Sequence, residues 1–443
     1  MKAGFISLGC AKNLIDTEVM LGILRENGIE PVQEPEEADI LVVNTCAFID
    51  SAKEEAITTV LSMAEFKTKG KCRALIVAGC LSQRYGQELL DELPEADAVI
   101  GTGAWDRIME AVNGALSGKR PVITGQTDLI YNSAMPRILT TPPYTAYVKI
   151  AEGCDNRCAF CAIPYIRGRY RSRPLEDIVS EVEKLVAGGA KEINLIAQDT
   201  TKYGVDIYGE PFLSRLMKRL CRIEGLKWLR ALYCYPRYFT DELIETIAAE
   251  PKICKYVDLP LQHAHDEVLR RMHRPDTGAG IEALLAKIRA RIPGVTIRST
   301  FIVGFPGETD AQYQTLRKFI EKQRLDKVGI FTYSREEGTP ACEMPNQVPE
   351  EIMQERYHDL MSLQCRISEE VNAALEGTEL EVLIEGRMDD QPEVACGRSY
   401  REAPEVDGQI FVEGDRDSRP GDIVRVRIVQ GFTYDLVGER TEV

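Results

Sequence analysis

Histidine and tryptophan are scarce in this 443-residue chain, with four and two copies. No apolar stretch approaches the roughly 18 residues that a membrane helix requires. The longest, Ile40 to Ile49, is broken by Asn44 and Thr45, so no membrane association is expected. Basic charge is also in deficit: 54 Lys+Arg stand against 70 Asp+Glu, a net charge of −16. That balance argues against sequence-independent binding of naked nucleic acid as the main role, while leaving room for a local basic site. No GxxxxGKS phosphate loop and no Ser–His–Asp pattern is present, which leaves kinase and hydrolase chemistry without a foundation. The opening MKAGFISLGC carries one charge and a strand pattern where a leader would carry an apolar core, so a cytoplasmic protein is expected.

What is present is ordinary globular composition, 44% hydrophobic and 28% charged, over a length that implies about two to four domains. Residues 1–125 alternate strand and helix patterns. Apolar strands at Gly4–Leu8, Asp39–Val43, Ala74–Ala78 and Ala98–Ile100 lead into helical periods, the third at Tyr85–Leu93. Continuous apolar strands between helices predict a Rossmann-like parallel sheet. Residues 126–139 read as a linker rich in Thr, Pro, Asn and Ser. Over 140–373, six strand segments alternate with amphipathic helices: Thr145–Glu152, Lys191–Gln198, Lys227–Tyr235, Lys255–Gln262, Val295–Val303 and Lys327–Tyr333. They predict a partial (βα)6 barrel with its site at the C-terminal strand ends. Residues 374–443 carry short alternating strands (Leu380–Ile384, Ile410–Glu413, Ile423–Val429, Thr433–Val437) between turn residues, the pattern of a small antiparallel β-barrel of five strands. The fold class is therefore α/β with a terminal all-β module.

Thirteen cysteines in a reducing compartment do not read as a disulfide framework. Cys154, Cys158 and Cys161, in EGCDNRCAFC, follow the first barrel strand and can wrap one loop around one metal centre. Three thiolates are one short of the four that a 4Fe–4S cluster takes, which leaves one iron open; a zinc loop is the bland alternative. A second trio is separated in sequence but not in topology. Cys10 ends GFISLGC, Cys46 ends ILVVNTC and Cys80 ends ALIVAGC, each at the C-terminal end of a parallel strand and before a helix. Those ends converge on the crevice where α/β sheets bind ligands, and helix N-termini favour thiolates. Three small buried residues at strand ends are the alternative reading. The other seven cysteines, 72, 221, 234, 254, 342, 365 and 396, lack ligand spacing and read as structural thiols.

The CxxxCxxC loop, with Phe160 before its last cysteine, resembles the radical S-adenosylmethionine (SAM) superfamily, in which the open iron chelates SAM and the reduced cluster cleaves it to a 5′-deoxyadenosyl radical. With the three-cysteine α/β domain before it and the small barrel after it, the whole chain resembles the methylthiotransferases. That resemblance implies an auxiliary 4Fe–4S cluster on Cys10, Cys46 and Cys80, a radical-SAM 4Fe–4S cluster on Cys154, Cys158 and Cys161, and SAM as both methyl donor and radical source. It further implies sulfide or another sulfur donor, an external electron donor, and a TRAM-like terminal barrel for substrate recognition. The stretches SLGCAKNLIDTEVMLG, CDNRCAFCAIPYIRGRYRSRP, LIAQDTTKYG, DLPLQHAHDEVLRRM and FIVGFPGETD are most similar to the branch that modifies the β-carbon of an aspartate in the small-subunit ribosomal protein S-twelve. The tRNA-modifying branch carries small residues and serine where this chain has Gln262-His263-Ala264. Charge favours the protein substrate. Residues 377–443 hold sixteen acidic residues against eight arginines and no lysine, a net of minus eight that attracts a basic ribosomal protein and repels RNA. A non-catalytic two-cluster electron carrier and a zinc-bound module are the more distant readings.

Further candidates follow from position. Phe160, Gln198 at the end of the second barrel strand, and Gly304, which resembles the superfamily's adenine contact, are expected at SAM; a packing glycine explains Gly304 almost equally. Asp199, Gln262 and His263 also close barrel strands. Arg157, Arg167, Arg169, Arg171 and Arg173 form a basic arm with no acidic residue between 157 and 173. The arm reads either as one or two bidentate contacts to a carboxylate of SAM or of the target aspartate, or as a solvated face. His263, His265 and His273 are not needed as metal ligands once six cysteines serve two sites.

Overall fold

The computed structural model describes residues 1–125 and 128–441; Gln126 and Thr127, the start of the expected linker, lie outside them. The first part is a six-stranded parallel sheet of β1 (Lys2–Ser7), β2 (Glu30–Val32), β3 (Ile40–Thr45), β4 (Ala74–Gly79), β5 (Ala98–Gly101) and β6 (Val122–Ile123), in the order β2-β1-β3-β4-β5-β6. β3 and β4, ILVVNT and ALIVAG, are buried throughout because helices cover both faces. Ile15, Val19, Met20 and Leu24 of helix Ala11–Glu26 pack on one face, and Ala56, Val60, Leu81, Leu89 and Leu90 on the other. Each large aliphatic side chain so buried contributes about 1.5–3 kcal/mol. β2 and β6, at the sheet edges, escape the periodicity reading because three and two residues carry no period. Sheet growth reverses between β1 and β3, so the ligand crevice opens where Cys10 and Cys46 emerge.

The central part contains β7 (Thr145–Lys149) and its continuation β8 (Ala151–Glu152), which pairs with β9 (Arg171–Ser172). They are followed by β10 (Glu192–Ile196), β11 (Trp228–Ala231), β12 (Tyr256–Asp258), β13 (Thr296–Val303) and β14 (Lys327–Thr332). Two parallel sheets, β11-β10-β7 and β12-β13-β14, are joined by a parallel bridge between Leu229 and Ile253. This is an open six-strand arc, and each long strand falls inside its expected segment. Ile193, Leu195, Ile297 and Phe301 point outward beneath the helices.

The C-terminal strands β15 (Glu379–Arg387), β16 (Ala395–Arg398), β17 (Ile410–Glu413), β18 (Ile423–Gly431) and β19 (Leu436–Arg440) close a barrel in the order β15-β16-β17-β19-β18. Two details correct the expectation. The β17–β19 pair is parallel, so the barrel is not purely antiparallel, and the last strand begins at Leu436 because 432–435 turn the chain. This barrel docks at the N-terminal ends of the central strands. Arg398 reaches Glu192, the first residue of β10, at 2.8 Å, and Arg401 reaches Asp326 at 2.8 Å. The segment between β16 and β17 enters the open arc, where Arg230 donates to the Tyr400 carbonyl at 2.8 Å and Tyr256 donates to Asp407 at 2.6 Å.

Candidate functional site

The first thiol trio forms at the sheet's switch point. Gly9 holds a positive φ of 85°, and a side chain there would meet the Cys46 Cβ at 2.8 Å, so the β1 and β3 loops approach closely only through glycine. Gly79 turns in the same way (φ 95°) against Asn44 and Thr45 and presents Cys80. Cys10 caps helix Ala11–Glu26, as expected. Cys46 instead stands four residues ahead of its helix at Asp50, and Cys80 is the first residue of helix Cys80–Tyr85, which begins before the expected Tyr85. Asn13 ties the trio together. It donates to the carbonyls of Leu8 (3.2 Å) and Thr45 (2.9 Å) and receives the Cys80 thiol at 3.6 Å. Burial pushes the Cys10 thiol up, but Lys12, Arg167 and the N–H groups of Asn13 and Lys12 outweigh it and leave Cys10 below its ordinary value. Burial wins at Cys46, which is raised, and at Cys80, pushed up to about 12.

The second trio sits on the loop after β8. The Cys154 N–H donates to the Gly168 carbonyl at 3.1 Å, the Cys161 N–H to the Cys158 carbonyl at 3.0 Å, and the Ala159 N–H to the Met272 carbonyl at 3.0 Å. Burial raises all three thiols, Cys154 to about 12. Arg274, stacked 4.1 Å from the Tyr235 ring centroid, opposes that rise at Cys158. Phe160 packs on an apolar cluster with Val268, Met272, Phe305, Tyr333 and Met353 beside the loop. Among the described residues, no three His, Cys, Asp or Glu side chains close around a single metal ion. Within each trio the thiols nonetheless lie near enough to feel one another's charge.

Between the trios lies a buried ionic seam. Lys149 Nζ bonds Asp16 at 2.5 Å and Glu152 at 2.7 Å; Arg167 pairs with the same two carboxylates at 3.0 Å each. Gln198 donates to Glu152 at 3.1 Å, while its Oε1 is buried without a partner. Lys12 crosses from the first domain to the barrel mouth, 3.2 Å from the Tyr233 ring centroid and 3.5 Å from the Ala197 carbonyl.

The basic arm divides. Arg157 and Arg169 are exposed and Arg171 is half-buried. Arg167 belongs to the seam, and Arg173 is locked to Glu181 and Asp177 at 2.6 Å each, so neither expected role describes these two. A side chain at Gly304 (φ 76°) would collide with Met353 at 2.2 Å, and its N–H donates to Glu308 at 2.5 Å, a packing role. His263 is a satisfied core histidine. It bonds Glu308 at 3.0 Å through Nε2 and accepts the His265 N–H at 3.0 Å through Nδ1. Asp199 is buried against Thr201 and Asn156, and Gln262 holds a φ of 71° beneath Thr300.

Sequence reasoning missed Lys12, Asn13, Asp16, Glu152 and Arg274. A signal existed for the first three: polar residues at 12, 13, 16 and 17 repeat at helical spacing on a face that the fold buries.

Comparison with known proteins bears on this geometry. Residues 2–101 match the uncharacterized protein family UPF0004, residues 148–320 the Radical SAM superfamily and residues 377–440 the TRAM domain. Among solved structures, the radical SAM methyltransferase TsrM from Kitasatospora setae shares the fold at a TM-score of 0.58 and 16% identity, over 77% of this chain and 76% of that one. The class so defined is a radical SAM protein with an α/β domain before it and a TRAM barrel after it, and such a protein employs SAM and a 4Fe–4S cluster. Ribosomal protein uS12 methylthiotransferase RimO from Desulforamulus reducens is 54% identical over 437 residues, 98% of each chain. Its counterpart from Heliobacterium modesticaldum is 54% identical over 439 residues, 99% of this chain and 95% of that one. The chain belongs to the RimO methylthiotransferase family. No helix among the described residues is long and apolar enough to cross a membrane.

Proposed function

We propose that this protein is a SAM-dependent radical methylthiotransferase that places a methylthio group on the β-carbon of an aspartate of ribosomal protein uS12. The observation that carries the reading is the pair of thiol trios, each at the C-terminal ends of parallel strands and facing each other across one buried seam, in a chain related to RimO along its whole length. Cys154, Cys158 and Cys161 would hold the radical-SAM cluster, and Cys10, Cys46 and Cys80 an auxiliary one. The donor chemistry fits. Burial favours neutral thiols at five of the six positions, so iron is the partner that would keep them as thiolates. When bound, the first cluster supplies the electron that cleaves SAM, and the second the place where sulfur from sulfide or another donor is held.

The chain's own residues do the rest. Lys149, Arg167, Asp16 and Glu152 fix the first domain against the barrel, so the two trios keep one spacing and water is excluded between them. Phe160 and Gln198 line the SAM side of the mouth. The terminal barrel receives the substrate: Arg398 and Arg401 are buried in ion pairs and Glu402 and Asp415 are buried as well, so its outer face keeps the acidic excess that suits a basic ribosomal protein. The parts at 1–125, 140–373 and 374–443 thus hold sulfur, generate the radical and recognise the substrate.

Paired variants test the division of labour. With reconstituted protein, reductant and SAM, Cys158→Ala should abolish 5′-deoxyadenosine formation. Cys46→Ala should spare it but yield no methylthio product on uS12. A Cys46→Ala protein that still methylthiolates contradicts the auxiliary assignment.

A further inference from the structure

Tyr233 stands two residues past the end of β11, at the C-terminal mouth of the arc, with its ring against Lys12 of the first domain. It holds a φ of 61°, a costly conformation for a bulky residue, which persists only where the surroundings over-determine it. Both neighbouring strands do so. The Tyr233 carbonyl accepts the N–H of Thr200, beyond β10, at 3.1 Å. Asp258, the last residue of β12, takes the Tyr233 N–H on its carboxylate at 2.8 Å and the Cys234 N–H on its carbonyl at 3.0 Å. One residue thus clamps two successive amides.

The clamp is held in turn from far below. Asp258 is 1% exposed, and among the described residues Arg298 is its only ion-pair partner, at 3.0 Å. A buried carboxylate depends on its cation, so whatever fixes Arg298 also fixes the clamp. Arg298 is only partly buried, and its Nε faces a second carboxylate, Asp407, at 3.7 Å. Asp407 belongs to the terminal module, in the segment between β16 and β17. It is itself anchored there by the Tyr256 hydroxyl at 2.6 Å and the Ala403 N–H at 2.9 Å. A line of charge, Asp407–Arg298–Asp258, therefore runs from the floor of the arc to the amide of Tyr233.

We infer, on the function proposed above, that Asp407 is a positioning residue for methylthio transfer: through Arg298 and Asp258 it sets Tyr233 at the mouth. The terminal module then does more than receive the substrate. A module that only recognised uS12 would change how tightly it binds. One that also positions the mouth changes how often a radical, once made, is used on the substrate.

The test compares full-length, cluster-loaded wild type with three variants. Asp407→Asn keeps an acceptor for Tyr256 but removes the charge that faces Arg298, and Asp407→Glu restores that charge. Arg401→Gln loosens the docking of the same module at Asp326 without touching the line of charge. Hydrogen exchange over residues 231–235 reads the Tyr233 amide directly. It should be about tenfold faster in Asp407→Asn, partly restored in Asp407→Glu and unchanged in Arg401→Gln. In turnover, Asp407→Asn should keep its KM for uS12 and lose about tenfold in kcat, with more 5′-deoxyadenosine formed per methylthio product. Unchanged exchange over 231–235 overturns the inference, because Asp407 then does not hold the clamp. A raised KM with unchanged kcat overturns it in favour of recognition alone. Equal losses in Asp407→Asn and Arg401→Gln overturn it in favour of docking alone. If the wild type does not modify uS12, the functional reading falls and the role of Asp407 in it falls too, whatever the exchange shows. If the wild type works and Asp407→Asn keeps both kcat and the product ratio, the inference falls alone.

Discussion

Arg167 of the central domain reaches Cys80 of the first domain, its Nη2 lying 3.9 Å from the thiol sulfur. The same guanidinium bonds Asn13 at 2.5 Å and the buried carboxylates of Asp16 and Glu152. One side chain thus couples the crevice of Cys10, Cys46 and Cys80 to the loop that presents Cys154, and the spacing of the two trios becomes a property of the fold.

Removing that cation should be costly. Arg167→Met leaves Asp16 and Glu152 to share Lys149 alone, and breaking a buried pair in this way costs about 3–5 kcal/mol. Urea unfolding should show the loss, with Arg167→Lys retaining part of the stability. A loss below about 1 kcal/mol would mean that the seam is wet rather than buried.

The docking of the terminal barrel should depend on pH in a defined window. Burial works against the charge of Glu192, but Arg398 and Arg230 outweigh it and hold the carboxyl down at about 2, against an ordinary 4.5. A depressed folded value contributes stability that is complete above about 4.5 and fades as pH falls toward 2. The gap in urea midpoint between wild type and Glu192→Gln should therefore narrow as pH drops through that window. A gap that stays constant contradicts the ion-pair account.

A second clasp joins the first domain to the central one at Glu336, which is 1% exposed and meets Arg84 at 2.6 Å and Lys53 at 3.0 Å. Glu336→Gln should cost about 3 kcal/mol and speed hydrogen exchange in helix Cys80–Tyr85 and in residues 334–343. Unchanged exchange in both segments would show that the seam at Arg167 suffices alone.

Gly304 is explained by packing. Gly304→Ala should lose about 2 kcal/mol or more, from the positive φ and from the Met353 contact together. Adding Met353→Ala should return the packing share of that loss but not the conformational share. If the double variant recovers nothing, the collision with Met353 is not what keeps glycine there.

Much of this was legible in the sequence, for identifiable reasons. Continuous apolar strands such as ILVV and ALIV announce a parallel sheet, and the cysteines that end them fall at one sheet edge because parallel strands share a direction. The six barrel strands carry the same signal. Shorter strands do not: β6 has two residues, and β16 has four around Gly397, whose close approach to Leu383 leaves no room for a side chain. The ionic seam was hidden for another reason. Asp16 is far in the chain from Lys149 and Glu152, and each alone reads as a surface charge. Only the docking of two domains buries them together. Lys12 is hidden in the same way: a single lysine on a helix reads as a surface cation, and only the docking of the domains buries it.

The central claim is methylthio transfer to a protein, and one measurement addresses it directly. Protein reconstituted anaerobically with iron and sulfide is given SAM and reductant, then offered uS12 and unmodified tRNA together, and the masses of both are read. The account predicts a methylthio gain on one aspartate of uS12 and none on tRNA. A gain on tRNA alone would contradict the substrate while leaving the radical chemistry standing. Cleavage of SAM with no gain on either would contradict the proposed function itself.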